Sequence, residues 1–111
     1  MEIHKHTDGG VTFVALEGHF EAFSLPAVSE ELGRLIDDGA RKLCLNLKGV
    51  SFINSTALGY LVATSKKLKE LDGELVLSEP SGFLAATIRT LELHLLFEIF
   101  PTDAKAKEHF G

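Results

Sequence analysis

The sequence predicts an α/β fold in one domain spanning residues 1–111, with one mixed, mostly parallel β-sheet of about five strands and four helices in the order ββαβαβαβα. Three observations carry that expectation. A chain of 111 residues is the length of one domain, and long enough to bury a core without disulfide staples. Asp8-Gly9-Gly10 separates two strand-like runs, which is a hairpin signal. Beyond it, short apolar runs alternate with stretches whose apolar residues recur at helical spacing, the pattern of parallel strands joined by right-handed helical crossovers.

The elements follow in order. MEIHKHT and VTFVALE flank the Asp8-Gly9-Gly10 turn as the two arms of the hairpin. In the second arm Val11, Phe13 and Ala15 alternate with Thr12, Val14 and Leu16, and both sets are largely apolar, so this strand is expected to be covered on both faces. Ser24-Leu25-Pro26 opens the first helix, with Ser24 as its cap and Pro26 in the tolerant first turn. Leu25, Val28, Leu32, Leu35 and Ile36 form its stripe, Glu30, Glu31 and Arg34 lie off it, and Gly39 ends it. KLCLNL reads as the central strand. Leu58, Leu61, Val62, Ser65, Leu68 and Leu71 then mark a second helix, with Lys66, Lys67 and Glu70 opposite and Gly73 closing it. ELVLS is another strand. Ser81 is expected to cap a third helix carrying Leu84, Ile88 and Leu91. LFEIF reads as the last strand, and Thr102 opens a final short helix ending near Phe110.

Composition narrows the function. A hydrophobic fraction of 45% and a charged fraction of 24% are those of a folded globular protein. The net charge of −5 argues against nucleic acid as a partner, and KKLK at Lys66–Lys69 reads as the wet face of a helix. Cys44 is the only cysteine, so no internal disulfide is possible; inside LCLNL it reads as a buried structural thiol suited to a reducing compartment. No apolar targeting segment stands at the N-terminus and the apolar runs are too short to span a bilayer, so a cytoplasmic protein with no membrane insertion is expected.

The motifs of catalysis are missing. There is no G-x-G-x-x-G after a strand, no Walker A and no G-x-S-x-G elbow. His4, His6, His19, His94 and His109 are scattered; His4 and His6 share a strand face, but two ligands do not make a zinc site. Asp37-Asp38 reads as a solvated turn. Glu21 and Asp103 have no partner placed beside them by the sequence, and Asp103 suits the first turn of a helix through the dipole. The expectation is no enzyme and no cofactor or metal.

What stands out is SFINSTALGYLV, residues Ser51–Val62. Asn54, Ser55 and Thr56 are three short polar residues at the start of the second helix, where one cap suffices. Helix N-termini carry unpaired N–H groups and the positive end of the dipole, so a phosphate on a hydroxyl there is tolerated by the fold while adding about two negative charges to the surface. Ser55 is the first choice of acceptor and Thr56 the second. Thr56, Gly59, Tyr60 and Ala63 lie off the Leu58/Leu61/Val62 stripe and suit a close-approaching partner, with Tyr60 as an anchor; the opposing reading has Gly59 and Ala63 packed tightly on the sheet.

These residues resemble the STAS family, named for sulfate transporters and anti-sigma factor antagonists. In its bacterial antagonists a motif of the form Asp-Ser-Ser/Thr-Gly-Leu-Gly precedes this helix; here it reads Asn54-Ser55-Thr56-Ala57-Leu58-Gly59. EGHFEAFSLPAVSEEL, with Gly18 and Glu21, is similar to the Gly-x-Leu-Asp segment before the first helix; DGGELVLSEPS and LELHLLFEIFPTDAKAKEHF are similar to the later strands and last helix. The resemblance runs the whole length and implies a STAS-like fold. It also implies an anti-sigma factor antagonist that binds an anti-sigma factor, itself a serine kinase, through Glu21, Asn54, Ser55, Thr56, Gly59 and Tyr60. Phosphorylation of Ser55 by that kinase would break the complex and a phosphatase would restore it; the kinase brings ATP and Mg²⁺. Two positions depart from the pattern. Asn54 replaces an acid, and Ala57, a better helix former, replaces Gly and adds a methyl beside the docking site. They favour the alternative of an unswitched STAS interaction subunit, either a stressosome scaffold or an accessory subunit of a lipid-transport ABC system. The hairpin edge implies a monomer or weak homodimer.

Overall fold

The computed structural model describes residues 1–80 and 82–111. Five strands form one sheet in the spatial order β1-β2-β3-β4-β5. β1 (Glu2–Asp8) and β2 (Val11–Phe20) pair antiparallel. The turn between them is Gly9-Gly10, both at positive φ (61° and 82°), the backbone of the tightest hairpin turns. β3 (Lys42–Ile53), β4 (Glu74–Ser78) and β5 (Ile99–Phe100) continue the sheet in parallel with β2. Helices α1 (Leu25–Asp37), α2 (Ser55–Glu70), α3 (Gly82–Thr90) and α4 (Asp103–Phe110) follow β2, β3, β4 and β5. The element order read from the sequence is therefore the order observed.

The two-sided apolar pattern of β2 has its physical reason in two cores. Val14 and Leu16 pack with Val28, Leu32 and Ile36 of α1, Ala57, Leu61 and Leu68 of α2, and Leu84 and Ile88 of α3. Val11 and Phe13 face the other way, into a smaller cluster with Cys44, Val76 and Ala106 of α4. Three helices thus cover one face and α4 covers the other.

β3 is longer than its apolar run because it is bulged twice. Ala15 pairs with Asn46 but Glu17 with Gly49, and Gly18 pairs with Val50 but His19 with Phe52. Each extra residue reverses the alternation. The residues facing the main core are accordingly Leu43, Leu45 and Leu47, then Val50 and Ile53. Gly49 sits where the strands come closest: a Cβ there would lie 2.9 Å from the Leu16 carbonyl oxygen.

Several local expectations are corrected. Ser24 occupies the N-cap position of α1, yet it makes no cap bond into the helix. Gly39 ends α1 as expected, at φ 102°, with the Ala40 N–H reaching the Leu35 carbonyl at 2.9 Å. At the end of α2 the left-handed residue is Asp72 (φ 63°), not Gly73; the Gly73 N–H closes the turn onto Leu68 O at 2.7 Å. Gly73 is needed for a different reason, since a Cβ would lie 2.4 Å from the Arg41 carbonyl oxygen. LFEIF is not a full strand. Only Ile99–Phe100 pair with β4, after a 3₁₀ turn at Leu93–Leu95. Leu91 lies beyond α3 and is exposed with Leu95 and Leu96, while Phe97 is the residue that enters the core. The proposed cap Ser81 lies outside the described residues.

Candidate functional site

The parallel pairing of β2 with β3 ends both strands side by side, with Phe20 opposite Ile53. The Asn54 N–H continues the ladder by donating to the Phe20 carbonyl at 3.2 Å. This single bond sets the Glu21 loop against the Asn54 corner at the carboxyl ends of the strands, which is where open α/β sheets present their binding loops. Ser24 makes that loop firm. Its hydroxyl donates to His19 O at 2.7 Å and accepts from the Glu21 N–H at 2.9 Å, and the Leu25 N–H returns to Glu21 O at 2.9 Å. On this fixed base Phe23 stands 94% exposed.

Asn54 is the cap of α2. Its backbone is extended (φ −100°, ψ 176°) and its Oδ1 accepts the Ala57 N–H at 2.9 Å. One cap is enough, so Ser55 and Thr56 are released from that duty. Both are exposed, and among the described residues neither hydroxyl makes a hydrogen bond. Ala57 is fully buried, so its methyl points into the core and away from any docking molecule.

The buried face of α2 is Ala57, Leu61, Thr64, Ser65 and Leu68. Ser55, Gly59, Ala63 and Lys66 fall on the opposite, exposed face. Gly59 has open space around it: a Cβ there would meet nothing within 4 Å. Tight packing of Gly59 and Ala63 on the sheet is thereby excluded. Tyr60 is half-buried, beside Gly33 and Ile36 of α1, and burial pushes its phenol pKa up. Glu21 is half-buried next to this corner.

The sequence reading missed the aromatic residues of this end of the molecule. Besides Phe23, Phe52 and Phe83 are exposed large apolar side chains. Phe52 lies 6.0 Å from the His19 ring, and Phe83 lines a shallow cleft of about 310 Å³ with Gly49 and Ser51. The available signal was their setting: Phe23 and Phe83 lie in turn-rich segments, FSLP and PSGF, off any apolar stripe.

Asp103 has partners that the sequence did not place. Its Oδ1 accepts from Ser78 Oγ at 2.6 Å and from Asn46 Nδ2 at 3.0 Å, and its N–H donates to Glu79 Oε2 at 3.1 Å. This network ties α4 to the middle of β3 and the end of β4. Burial pushes the adjacent Cys44 thiol up to about 12, so it stays protonated and unreactive near neutral pH.

The model of the STAS domain matches residues 2–106. The chain belongs to the STAS domain family. Among similar proteins is an anti-sigma-B factor antagonist of Staphylococcus aureus (strain NCTC 8325 / PS 47), 36% identical over 75 residues, covering 68% of this chain and 69% of the relative. The Bacillus subtilis (strain 168) anti-sigma-B factor antagonist is 35% identical over 94 residues, 85% of this chain and 83% of that one. A candidate anti-sigma factor antagonist from Thermotoga maritima shares the fold with a TM-score of 0.88 at 18% identity, covering 96% of this chain and 92% of its own. The anti-sigma factor antagonist SpoIIAA in its unphosphorylated form gives a TM-score of 0.75 at 17% identity, covering 98% and 97%. Both curated relatives are named as antagonists of an anti-sigma factor, a name for a binding role and not for a catalysed reaction. Among the described residues no helix is long and apolar enough to cross a membrane.

Proposed function

We propose that this STAS domain is an anti-sigma factor antagonist switched by phosphorylation at Ser55. It binds an anti-sigma factor with serine-kinase activity, thereby freeing a sigma factor, and a phosphatase reverses the modification. The observation that carries this reading is the division of labour at the α2 N-terminus. Asn54 alone caps the helix, while the Ser55 hydroxyl stands exposed and uncommitted one residue on. The replacement of an acid by Asn54 is compatible with it, because the amide oxygen does the capping. The replacement of Gly by Ala57 is compatible too, because the methyl is buried.

The binding surface is the Glu21 loop with Phe23, the Asn54–Thr56 corner, and the exposed face of α2 through Gly59 to the edge of Tyr60. Phe23 supplies an exposed apolar anchor at the rim, and the bare backbone of Gly59 admits close approach. A phosphate on Ser55 would put about two negative charges at the centre of that surface. Phosphorylated SpoIIAA matches this fold with a TM-score of 0.74, against 0.75 for the unphosphorylated form, which supports a switch acting on the surface and sparing the fold.

The test is incubation with an anti-sigma factor serine kinase and ATP, followed by intact and peptide mass measurement, with Ser55→Ala alongside. One phosphate on Ser55, absent from the variant, is expected. Kinase binding should persist in Ser55→Ala and be lost in Ser55→Glu. No phosphate from a kinase active on another substrate, and binding indifferent to both variants, would leave an unswitched interaction subunit as the reading.

A further inference from the structure

The β1–β2 hairpin gathers three ligand-bearing side chains that the Ser55 surface does not use. Glu2 and Glu17 are directly opposite in the antiparallel register, and His4 follows Glu2 on the same face. His4 Nε2 lies 3.7 Å from Glu2 Oε2 and 3.9 Å from Glu17 Oε2. One donor atom from each of the three falls within 4.8 Å of the others. We propose that Glu2, His4 and Glu17 form a binding site for a divalent first-row transition ion, with zinc as the reference ion.

Three physical points support the assignment. Zinc bonds of about 2.0–2.2 Å to imidazole nitrogen and carboxylate oxygen place neighbouring tetrahedral donors about 3.3–3.5 Å apart. The observed 3.7 and 3.9 Å from His4 need a few tenths of contraction, and the Glu2–Glu17 donors, within 4.8 Å of each other, must close by up to about 1 Å, a movement within the rotamer freedom of exposed glutamates. Two carboxylates placed directly across an antiparallel pair repel each other, and a bound dication reverses the sign of that interaction. One imidazole with two carboxylates suits zinc and its neighbours better than calcium or magnesium, which take oxygen ligands throughout. Three protein ligands leave a fourth position for water, as in open zinc sites. His6 is no part of the site, because its ring stacks on Phe13 with centroids 5.0 Å apart.

The face is that of Phe13 and α4, opposite to α1 and α2, so occupancy is independent of the Ser55 reading. A bound ion would pin the edge strand to its neighbour and offset two units of the net charge of −5.

The test is calorimetric titration of the untagged full chain with zinc chloride, repeated with cobalt chloride followed by visible absorption. One saturable equivalent is expected, with a cobalt spectrum of low coordination number. His4→Gln should weaken binding at least about tenfold, Glu17→Gln should weaken it as well, and His6→Gln should leave it unchanged. All three positions are exposed, and equal melting temperatures without metal would confirm intact folds. Absence of saturable uptake by the wild-type chain overturns the site. So does undiminished binding by His4→Gln, or a loss in His6→Gln equal to that in His4→Gln.

Discussion

Asn54 Oδ1 accepts the Ala57 N–H at 2.9 Å, and this bond decides what Ser55 is free to do. Asn54→Ala removes the cap and should cost about 1 kcal/mol, a fall in Tm of roughly 4–8 °C for a domain near this size. Asn54→Asp keeps the acceptor and adds a negative charge at the positive end of the helix, so it should melt at or slightly above wild type. Thermal unfolding by circular dichroism checks both. A loss equal to that of Asn54→Ala in Ser55→Ala would show that the wrong residue has been named as the cap.

The course of α2 shows what the sequence could and could not convey. Helical spacing located the helix and placed Ser55 at its start. The centre of the buried face was displaced, however, because Thr64 turns inward. Its hydroxyl donates to the Tyr60 carbonyl at 2.9 Å, so a polar residue takes a core position without an unmet bond. The bulges of β3 were illegible for another reason. They exist only relative to β2, and a strand's own residues do not record the register of its neighbour. The juxtaposition of Glu21 with Asn54 was likewise absent from local pattern, since it depends on parallel strands ending together.

Gly59 is the clearest conflict between stability and use on this surface. It sits within α2, exposed, with nothing within 4 Å of a would-be Cβ. Glycine in a helix interior costs roughly 0.5–1 kcal/mol relative to alanine. Gly59→Ala should therefore raise stability by about that amount, read as a higher urea midpoint at unchanged slope. If the proposed docking surface is right, a larger residue such as Gly59→Gln should weaken kinase binding while remaining fully folded.

Cys44 offers a test by pH. Burial lifts its thiol from the ordinary 9.0 to about 12, so the folded chain holds its proton where the unfolded chain releases it. Proton binding is then greater in the folded state between those values, and the stability of the fold falls as pH rises through that window. Well below pH 9, where both states hold the proton, this group contributes no slope. At pH 8 a thiol reagent should label the native chain far more slowly than the chain in denaturant; equal rates would place Cys44 at the surface.

Asp103 separates the fold from the proposed switch. It holds Ser78, 25 residues earlier, and Asn46, 57 residues earlier, with one oxygen. Asp103→Ala would leave both donors without their acceptor and should cost about 2–3 kcal/mol, whereas Asp103→Asn keeps an acceptor and should cost about half as much. Urea denaturation gives the difference, and amide exchange should show α4 loosening first, because this network is what ties its first turn to β3 and β4. The Ser55 corner lies at the exposed start of α2, on the opposite face of the sheet from α4. The phosphorylation proposed for Ser55 should proceed at an unchanged rate in Asp103→Asn, and a parallel loss of both properties would mean that the two faces are coupled through β3.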